Sequence, residues 1–329
     1  MKALLLAGGF GTRLRPLTLT RPKHLLPIAN RPHIEHVFDL LLAHGIEGVV
    51  LLTSYLADAF EGAVASAEGR GLAVEVTHEQ EPLGTAGALK NAQALVGGGT
   101  FLVFNGDILT DCDLGRVLEW HRMKQAEATI WLQPVPDPSA FGVVPTDRDG
   151  RVLGFVEKPP PGSAPTNLIN AGIYVFEPTV LDRIPAGEVW SAERQLFPGL
   201  VEEGAPVFGI STDAYWMDIG TPPKFLAANL DALEGRFRTE SVPHPGAGLV
   251  LRAPGAQVEE GARISSVCLG ADASVASGAV VESSVLLPGA KVERDAVVRR
   301  SIIGDGARVA QGVTVEDETM APGEHDALS

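Results

Sequence analysis

The chain has 329 residues, of which 45% are hydrophobic, and its formal net charge is −15. Single cores stop growing at about 250–300 residues, so two domains are expected. No apolar run reaches the ~18 residues of a membrane span, and the acidic balance argues against nucleic acid or anionic membranes as partners. The two cysteines, Cys112 and Cys268, lie far apart in sequence and favour a reducing cytoplasm.

The first predicted element is a buried strand at Ala3–Leu6, which runs directly into a glycine turn. Three glycines follow it closely: Gly8, Gly9 and Gly11. Such a turn brings backbone N–H groups near a ligand, and Arg13 and Lys23 then add positive charge. Residues 1–34 hold six basic side chains and no acidic one. So much local positive charge in an acidic protein predicts a polyphosphate site.

Strand-like and helix-like runs alternate over the first 130 residues, which predicts βαβ units and a mostly parallel sheet. The expected strands are Val49–Leu52, Ala73–Val76, Phe101–Phe104 and Thr129–Leu132. Asn30 is predicted to cap the helix that follows it, Asp113 a later helix, and Pro222 to begin a helix to about Arg236. From about residue 141 the pattern favours hairpins.

Composition predicts a linker at 238–249, between domains at 1–237 and 250–329. Beyond the linker, aliphatic residues recur at intervals of 17 in three series: Leu269, Leu286 and Ile303; Val275, Val292 and Val309; Ile264, Val281, Val298 and Val315. This period predicts a solenoid, in which each turn contributes short strands that stack on the next.

Two aspartates follow predicted strands, where doubly wound sheets place their ligands. They are Asp107, after Phe101–Phe104, and Asp218, after Trp216. Two carboxylates from separate strands can hold Mg²⁺ against substrate phosphates. Each aspartate alone is more often a turn or cap residue, so the pair gains weight only beside a phosphate loop.

The remaining signals are individually weak. The glycine turn fails the dinucleotide fingerprint because Leu14 holds its last position, and no Walker A follows. Glu81 precedes a helix that begins at Gly84 or Thr85, a turn suited to an anion or a base. Glu157 and Lys158 could bind sugar hydroxyls and a phosphate, or could form an exposed ion pair.

Together these segments resemble the sugar-nucleotide pyrophosphorylases, the nucleotidyltransferases that make NDP-hexoses. The matching segments are 8–18, the Pro-Lys-x-Leu-Leu-Pro at 22–27, Asn-Gly-Asp at 105–107, Glu-Lys-Pro at 157–159, Asn-Ala-Gly at 170–172 and Trp-Met-Asp-Ile-Gly-Thr-Pro at 216–222. The resemblance implies a Rossmann-like, doubly wound mixed α/β sheet followed by a short left-handed parallel β-helix. Glu-Pro-Leu-Gly-Thr-Ala-Gly at 81–87, with the tail, looks most like mannose-1-phosphate guanylyltransferases. His24 departs from the Pro or Gln common after the lysine, which leaves the neighbouring nucleotide contact open.

The implied reaction joins an NTP to a hexose 1-phosphate and releases pyrophosphate. It assigns catalysis to Arg13, Lys23, Asp107 and Asp218, the last two holding Mg²⁺. It assigns the nucleotide to Ala7, Gly8, Gly9, Gly11, Thr12, Arg13, Lys23, Glu81, Gly84 and Thr85. It assigns the sugar phosphate to Gly142, Glu157, Lys158 and Asn170. A carboxylate at 81 would accept two hydrogen bonds from guanine, which favours GTP, and the likeness to mannose-1-phosphate guanylyltransferases implies mannose 1-phosphate. Thymidylyl, uridylyl and adenylyl transfer to glucose 1-phosphate are the alternatives.

Two other classes of function are weighed against this one. The tail resembles the hexapeptide-repeat β-helix, and many proteins with that repeat transfer acetyl groups. The sequence argues against this activity, because the C-terminal histidines, His244 and His325, are expected outside the coils and fewer than four coils would leave little groove for a cofactor. A regulatory subunit that binds NDP-sugar without turnover would be expected to lose a charge of the phosphate site, and none is missing. The tail is expected to serve in assembly or regulation, and a homo-oligomer is predicted.

Overall fold

The computed structural model describes residues 1–54, 56–79 and 81–325. Contacts between Cα atoms group the chain into two compact units. The first unit comprises Met1–Gly9 and Val37–Trp216, and the second comprises Phe10–His36 and Met217–Ser329. The segment after the first strand thus groups with the C-terminal part, and the division into 1–237, the linker 238–249 and 250–329 stays a prediction.

A nine-stranded mixed sheet lies at the centre of the first unit. Neighbouring strands in its main order are Val156–Glu157, Gly142–Val143, Leu168–Phe176, Phe101–Asn105, Lys2–Leu6, Gly48–Thr53 and Ala73–His78. Two further strands branch from this order: Ala128–Pro134 pairs with Leu168–Phe176, and Val207–Ser211 pairs with Ala128–Pro134. Lys2–Leu6 is parallel to both of its neighbours, whereas Leu168–Phe176 is antiparallel to all of its own. The predicted mixed α/β sheet is confirmed.

Helices and aromatic side chains complete the first unit. The α-helices are Glu61–Glu68, Gly84–Asn91, Gln93–Val96, Leu114–Met123 and Phe197–Glu202, with His33–Ala43 shared between the units; shorter helical turns are Ala57–Phe60, Pro178–Arg183 and Ala192–Leu196, and a short strand is Ile108–Thr110. Asp113 accepts a hydrogen bond from the Arg116 N–H at 3.2 Å, so the predicted cap is confirmed. In the core Tyr174 stacks on Phe176 with 5.5 Å between ring centroids.

The C-terminal part of the second unit consists of stacked parallel strands. One sheet contains Val250–Arg252, Arg263–Leu269, Val280–Leu286, Val297–Arg299 and Thr314–Glu316, with Ile302–Ile303 beside Val280–Leu286; the other contains Gln257–Val258, Ser274–Val275, Lys291–Val292 and Arg308–Val309. Each residue pairs with the one 17 positions later, as Leu269 does with Leu286 and Val275 with Val292. The predicted solenoid is therefore confirmed as a β-helix; its left hand stays a prediction.

The β-helix is longer than the sequence pattern predicted. Four strands stack in the second sheet, and two bridges begin a fifth level, so the expectation of fewer than four coils was wrong. His325 pairs with Arg308 in a parallel bridge, so it lies in the last coil and not outside the coils. Backbone hydrogen bonds of the 17-residue period continue past the last aliphatic signal, which explains both errors.

The segment Phe10–His36 packs within the second unit through polar contacts. It contains the helical turns Thr12–Leu14 and Lys23–Leu25 and the short strands Pro27–Ile28 and Arg31–Pro32. The sequence predicted that Asn30 caps a helix, and this prediction was wrong. The Asn30 amide instead donates to the Leu269 carbonyl at 2.9 Å, and its φ is +62°. The Ala29 N–H donates to Asn229 at 2.9 Å, on the helix Pro222–Glu234.

Candidate active site

The glycine turn begins at the carboxyl edge of the sheet. Leu6 pairs with Leu52 on one side and with Asn105 on the other, so three strand ends lie side by side. Ala7 is buried, and its N–H donates to the Leu52 carbonyl at 2.8 Å. A Cβ at Gly8 would lie 2.8 Å from the Ser54 Oγ, so the glycine leaves room for that hydroxyl beside the turn. The predicted nucleotide residues Ala7 and Gly8 thus adjoin the strand end that leads to Asp107.

A cleft beside this edge contains a buried carboxylate that sequence reasoning missed. The residues lining the cleft are His78, Glu79, Glu81, Leu83 and Asn91. Glu79 is 8% exposed, its N–H donates to the Thr53 carbonyl at 2.8 Å, and its Oε1 has no hydrogen-bond partner among the described residues. Burial raises the pKa of the Glu79 carboxyl. The predicted base contact, Glu81, lines the same cleft but is exposed.

The helix that starts at Gly84 packs its first turn closely against the segment 188–190. Gly84 has a φ of +74°, and a Cβ there would lie 2.8 Å from the Trp190 carbonyl. That carbonyl accepts from the N–H groups of Ala86 and Gly87, at 2.9 and 3.0 Å. The Thr85 hydroxyl donates to Glu193 at 2.9 Å. These groups position the helix beside the cleft, and a direct nucleotide contact by Gly84 or Thr85 stays a prediction.

The four predicted sugar-phosphate residues lie on three neighbouring strands or at their ends. Gly142 pairs with Glu157, and the next residue, Val143, pairs with Ile169 beside Asn170. A Cβ at Gly142 would lie 2.9 Å from the Glu157 Oε2, so the glycine leaves room for that carboxylate.

The side chains of these predicted sugar-phosphate residues differ in how their orientation is fixed. The Lys158 ammonium is 3.7 Å from the Glu157 Oε1, and its side chain is 63% exposed. Asn170 accepts from the Gly172 N–H at 3.0 Å and donates to the Tyr174 hydroxyl at 2.8 Å. Hence Asn170 has a fixed orientation, whereas Lys158 extends into solvent, where a mobile phosphate group can reach it.

In the second unit the glycine turn continues as a tightly closed loop. Gly11 has a φ of +62°, and its carbonyl accepts from the Thr18 hydroxyl at 2.8 Å. A Cβ at this position would lie 3.1 Å from the Lys23 Cβ and 3.1 Å from the Thr18 Cγ2. The loop therefore holds the side chain of Lys23 close to the backbone of Gly11. His24, which departs from the usual sequence, is buried at 1% exposure.

Arg13 and Asp218 lie on the same side of Gly220. A methyl group added to Gly220 would lie 3.2 Å from the Arg13 Nη2 and 3.2 Å from the Asp218 Oδ2. Asp218 is also paired with Lys224, through its Oδ1. Lys224 is a second residue that sequence reasoning missed, although a lysine in the first turn of a helix beginning shortly after a predicted metal-binding aspartate was a readable signal. Lys224 thus pairs with one oxygen of Asp218, and the Arg13 guanidinium lies on the side of the other oxygen. Both cations carry N–H groups that can donate to phosphate oxygens.

Comparisons with known proteins identify the family. The model of the nucleotidyl transferase family matches residues 2–235, and that of the GMPPB C-terminal domain matches residues 247–325. The chain belongs to the nucleotidyl transferase family. A mannose-1-phosphate guanylyltransferase of Mycobacterium tuberculosis is 40% identical over 298 residues, which cover 85% of this chain and 82% of that one. A UTP–glucose-1-phosphate uridylyltransferase of Synechocystis is 34% identical over 320 residues, 87% and 82% of the two chains.

Solved structures of nucleotidyltransferases share the fold. HddC from Yersinia pseudotuberculosis, in complex with GMP-PN, superposes with a TM-score of 0.60 at 29% identity over 69% of this chain and 97% of its own. A putative glucose-1-phosphate thymidylyltransferase from Bacillus anthracis gives a TM-score of 0.62 at 26% identity over 70% and 94%. The expected class is confirmed: this chain is a sugar-1-phosphate nucleotidyltransferase.

Proposed function

We propose that this nucleotidyltransferase joins GTP to mannose 1-phosphate, forming GDP-mannose and pyrophosphate. Relatives at 38–40% identity bear the name mannose-1-phosphate guanylyltransferase, and they support this pair of substrates. The observation that carries the choice of base is the cleft containing Glu79 and Glu81. Guanine presents two adjacent donors, N1–H and the exocyclic amine, and a carboxylate has two oxygens to accept them. Uracil and thymine present only one such donor.

The reaction needs positioning and charge neutralisation more than acid–base catalysis. An oxygen of the sugar phosphate attacks the α-phosphorus in line, the P–O bond to the β-phosphate breaks, and pyrophosphate leaves with that bonding pair. A phosphate monoester has a second pKa of about 6, so the nucleophile is already largely ionised near neutral pH. No residue has to remove a proton, and the rate depends on aligning two anions and offsetting their charge.

Each predicted residue then has a role in this proposal. Arg13 neutralises the leaving phosphates and Lys23 the α-phosphate; the backbone at Gly8, Gly9, Gly11 and Thr12 follows the triphosphate. Lys158 binds the sugar phosphate. Glu157 accepts hydrogen bonds from sugar hydroxyls, and Asn170 can both accept from them and donate to them. Gly142 offers its backbone to the sugar ring. Glu79 joins Glu81 as a base-reading carboxylate, and we assign it the larger share because water screens the exposed Glu81.

The donor set fits a hard divalent cation, which we propose is Mg²⁺. Asp107 and Asp218 would hold it. Mg²⁺ is usually bound through one or two carboxylates and completes its shell with substrate phosphates and water. Lys224 contacts Oδ1 of Asp218, whereas Oδ2 faces Gly220 and Arg13, the side on which we place the phosphates. When bound, the cation would supply charge neutralisation of nucleotide and sugar phosphates.

A substrate matrix tests the proposal. Pyrophosphate release is measured with Mg²⁺ for GTP, UTP, dTTP and ATP, each paired with the 1-phosphates of mannose, glucose and N-acetylglucosamine. We expect GTP with mannose 1-phosphate to exceed every other pair by about a hundredfold in kcat/KM. A different leading pair would overturn the assignment of base or sugar. Silence from folded protein across the matrix would favour a regulatory NDP-sugar-binding subunit.

We also propose a cytoplasmic homo-oligomer. Both thiols are buried, and burial raises the pKa of Cys112 and of Cys268 to about 12, so neither is a reactive thiolate. The β-helix supplies stacked strands whose end surfaces can pair with a second copy. Within the described residues no helix has the length and apolarity to cross a bilayer.

A further inference from the structure

The segment that carries Lys23 is held by the β-helix at both of its ends. At one end the Arg21 guanidinium forms an ion pair with Asp305, in a corner between two coil strands. At the other end the Asn30 amide donates to the carbonyl of Leu269 at 2.9 Å and lies 3.4 Å from that of Leu251, in the first two coils. The stretch between these two contacts includes Lys23 and its helical turn.

Asp305 is not required by the repeat in which it lies. The residues at the equivalent corners before and after it, at intervals of 17, are Pro254, Ala271, Pro288 and Pro322. Each of the three corners before it makes the same backbone contact to the next coil, as the Gly306 N–H does to the Pro288 carbonyl at 2.9 Å. The coil therefore closes with or without a carboxylate, and the acidic side chain at 305 needs another explanation.

The ion pair is poorly suited to adding stability. The side chains of Arg21 and Asp305 are 27% and 20% exposed, so both charges have lost most of their hydration. The Asp305 Oδ2 is buried without a hydrogen-bond partner among the described residues, and burial raises the pKa of this carboxyl despite Arg21. Desolvation offsets much of the attraction in such a pair, whereas its geometry still fixes where the two groups lie. Placement is thus what the pair contributes.

We propose that Asp305 is a positioning residue for the nucleotidyl transfer, acting through Arg21 on Lys23, with Asn30 as the second point of the clamp. The inference rests on the proposed role of Lys23 at the α-phosphate. It makes the β-helix a part of the phosphate site's framework, in addition to any part in assembly. A shift of the Lys23 backbone would misalign the ammonium while leaving the sugar-phosphate residues of the first unit in place.

The test compares Asp305→Asn and Arg21→Gln with the control Asp317→Asn. The control also removes a carboxylate paired with an arginine of the β-helix, since Asp317 accepts from Arg300 at 2.7 Å, but it has no partner in the segment 10–36 among the contacts described. Two readouts are taken: hydrogen exchange of the amides in 19–26 by mass spectrometry, and kcat and KM for both substrates.

We expect both clamp variants to exchange the amides of 19–26 faster than wild type and to lose about tenfold in kcat, with an unchanged KM for the sugar phosphate. The control should change neither, and Arg21→Lys, which keeps the charge, should recover part of the loss. Unchanged exchange, or faster exchange with an unchanged kcat, would overturn the inference. Because exchange needs no substrate, a silent substrate matrix would leave the clamp itself measurable.

Discussion

At the scale of single residues, the phosphate loop depends on backbone conformations that few residues adopt. Gly11 combines a positive φ with close contacts to Lys23 and Thr18. Gly45 also has a positive φ, +70°, but among the described residues beyond its chain neighbours no atom lies within 4 Å of the place where a Cβ would lie. The two glycines therefore separate the cost of a left-handed backbone from the cost of displacing a functional neighbour.

Gly11→Ala should lower kcat by about a hundredfold because the new methyl group pushes Lys23 away from its place. Both Gly11→Ala and Gly45→Ala should lose about 1 kcal/mol of the free energy of unfolding from the strained φ. Urea denaturation and pyrophosphate release measure the two effects. Equal kcat values for the two variants would show that the contact with Lys23 is unimportant.

Glu79 illustrates a residue whose proposed role in base recognition opposes stability. Because burial raises its pKa, the folded protein binds this proton more readily than the unfolded chain. Its ionised form therefore costs stability above the ordinary glutamate pKa of about 4.3. The cost is absent at lower pH, where the carboxyl is protonated in both states.

Glu79→Gln should thus raise the Tm at pH 7, with a gain that disappears as the pH falls below about 4. The same variant should lower the preference for GTP over UTP in kcat/KM, because an amide presents only one acceptor oxygen. Glu81→Gln, at an exposed site, is the matched comparison: it should leave the Tm unchanged and shift the preference less. A GTP/UTP ratio untouched by either substitution would remove both carboxylates from base reading.

At the scale of elements, the β-helix and the sheet are stabilised in different ways. The sheet buries a core shared by many strands, with Tyr174, Phe176 and Phe197 at mutual ring distances of 5.1–6.0 Å. In the β-helix, each 17-residue coil instead adds one residue to each of several aliphatic rows, so each coil depends mainly on its two neighbours. A core substitution in one coil should therefore weaken adjacent coils first.

Leu286→Ala tests this difference, because Leu286 is fully buried in the β-helix core. The lost contacts and the resulting cavity should cost about 3 kcal/mol of the free energy of unfolding. Hydrogen exchange should increase first in the coils paired through Leu269 and Ile303. Leu153→Ala, at a side chain 59% exposed, should change stability by less than about 0.5 kcal/mol. Uniform loss of protection in the sheet and the coils would contradict a locally coupled solenoid.

At the scale of the whole molecule, the net charge affects the approach of anionic substrates, and the edge strands of the β-helix can pair with another chain. The net charge of −15 repels anionic substrates at long range, and the six basic residues of 1–34 offset it locally. The first sheet of the β-helix ends in Val250–Arg252 and Thr314–Glu316, each paired on one side in that sheet. Such edges carry backbone groups that can pair with another chain.

Sedimentation at micromolar concentration should give a multiple of 34.6 kDa. Thr314→Lys places a charge on an exposed position of the last strand and should shift the population toward monomer if that edge forms the interface. A wild-type chain that sediments as a single 34.6 kDa species would contradict the proposed homo-oligomer.

The sheet, the solenoid and the family could be predicted from the sequence, because each leaves a local periodic or contiguous signal. Alternation of apolar runs predicted the strands, and intervals of 17 predicted the coil register. Contiguous motifs predicted the phosphate and sugar segments, which stay predictions. Asp113 also followed from local rules, since a cap bonds to a backbone group three residues away.

Which distant segments contact each other could be seen only in the folded chain. Asn30 has the sequence of a helix cap but bonds to coil carbonyls more than 200 residues away, and Arg21 finds its partner at Asp305. Glu79 was missed because burial, and the pKa shift that follows from it, depends on neighbours that no local pattern names. The pairing of Lys224 with Asp218 also becomes visible only in the folded chain. Long-range hydrogen bonds and desolvation are properties of packing, which is why the clamp on the phosphate loop could not be predicted from the sequence.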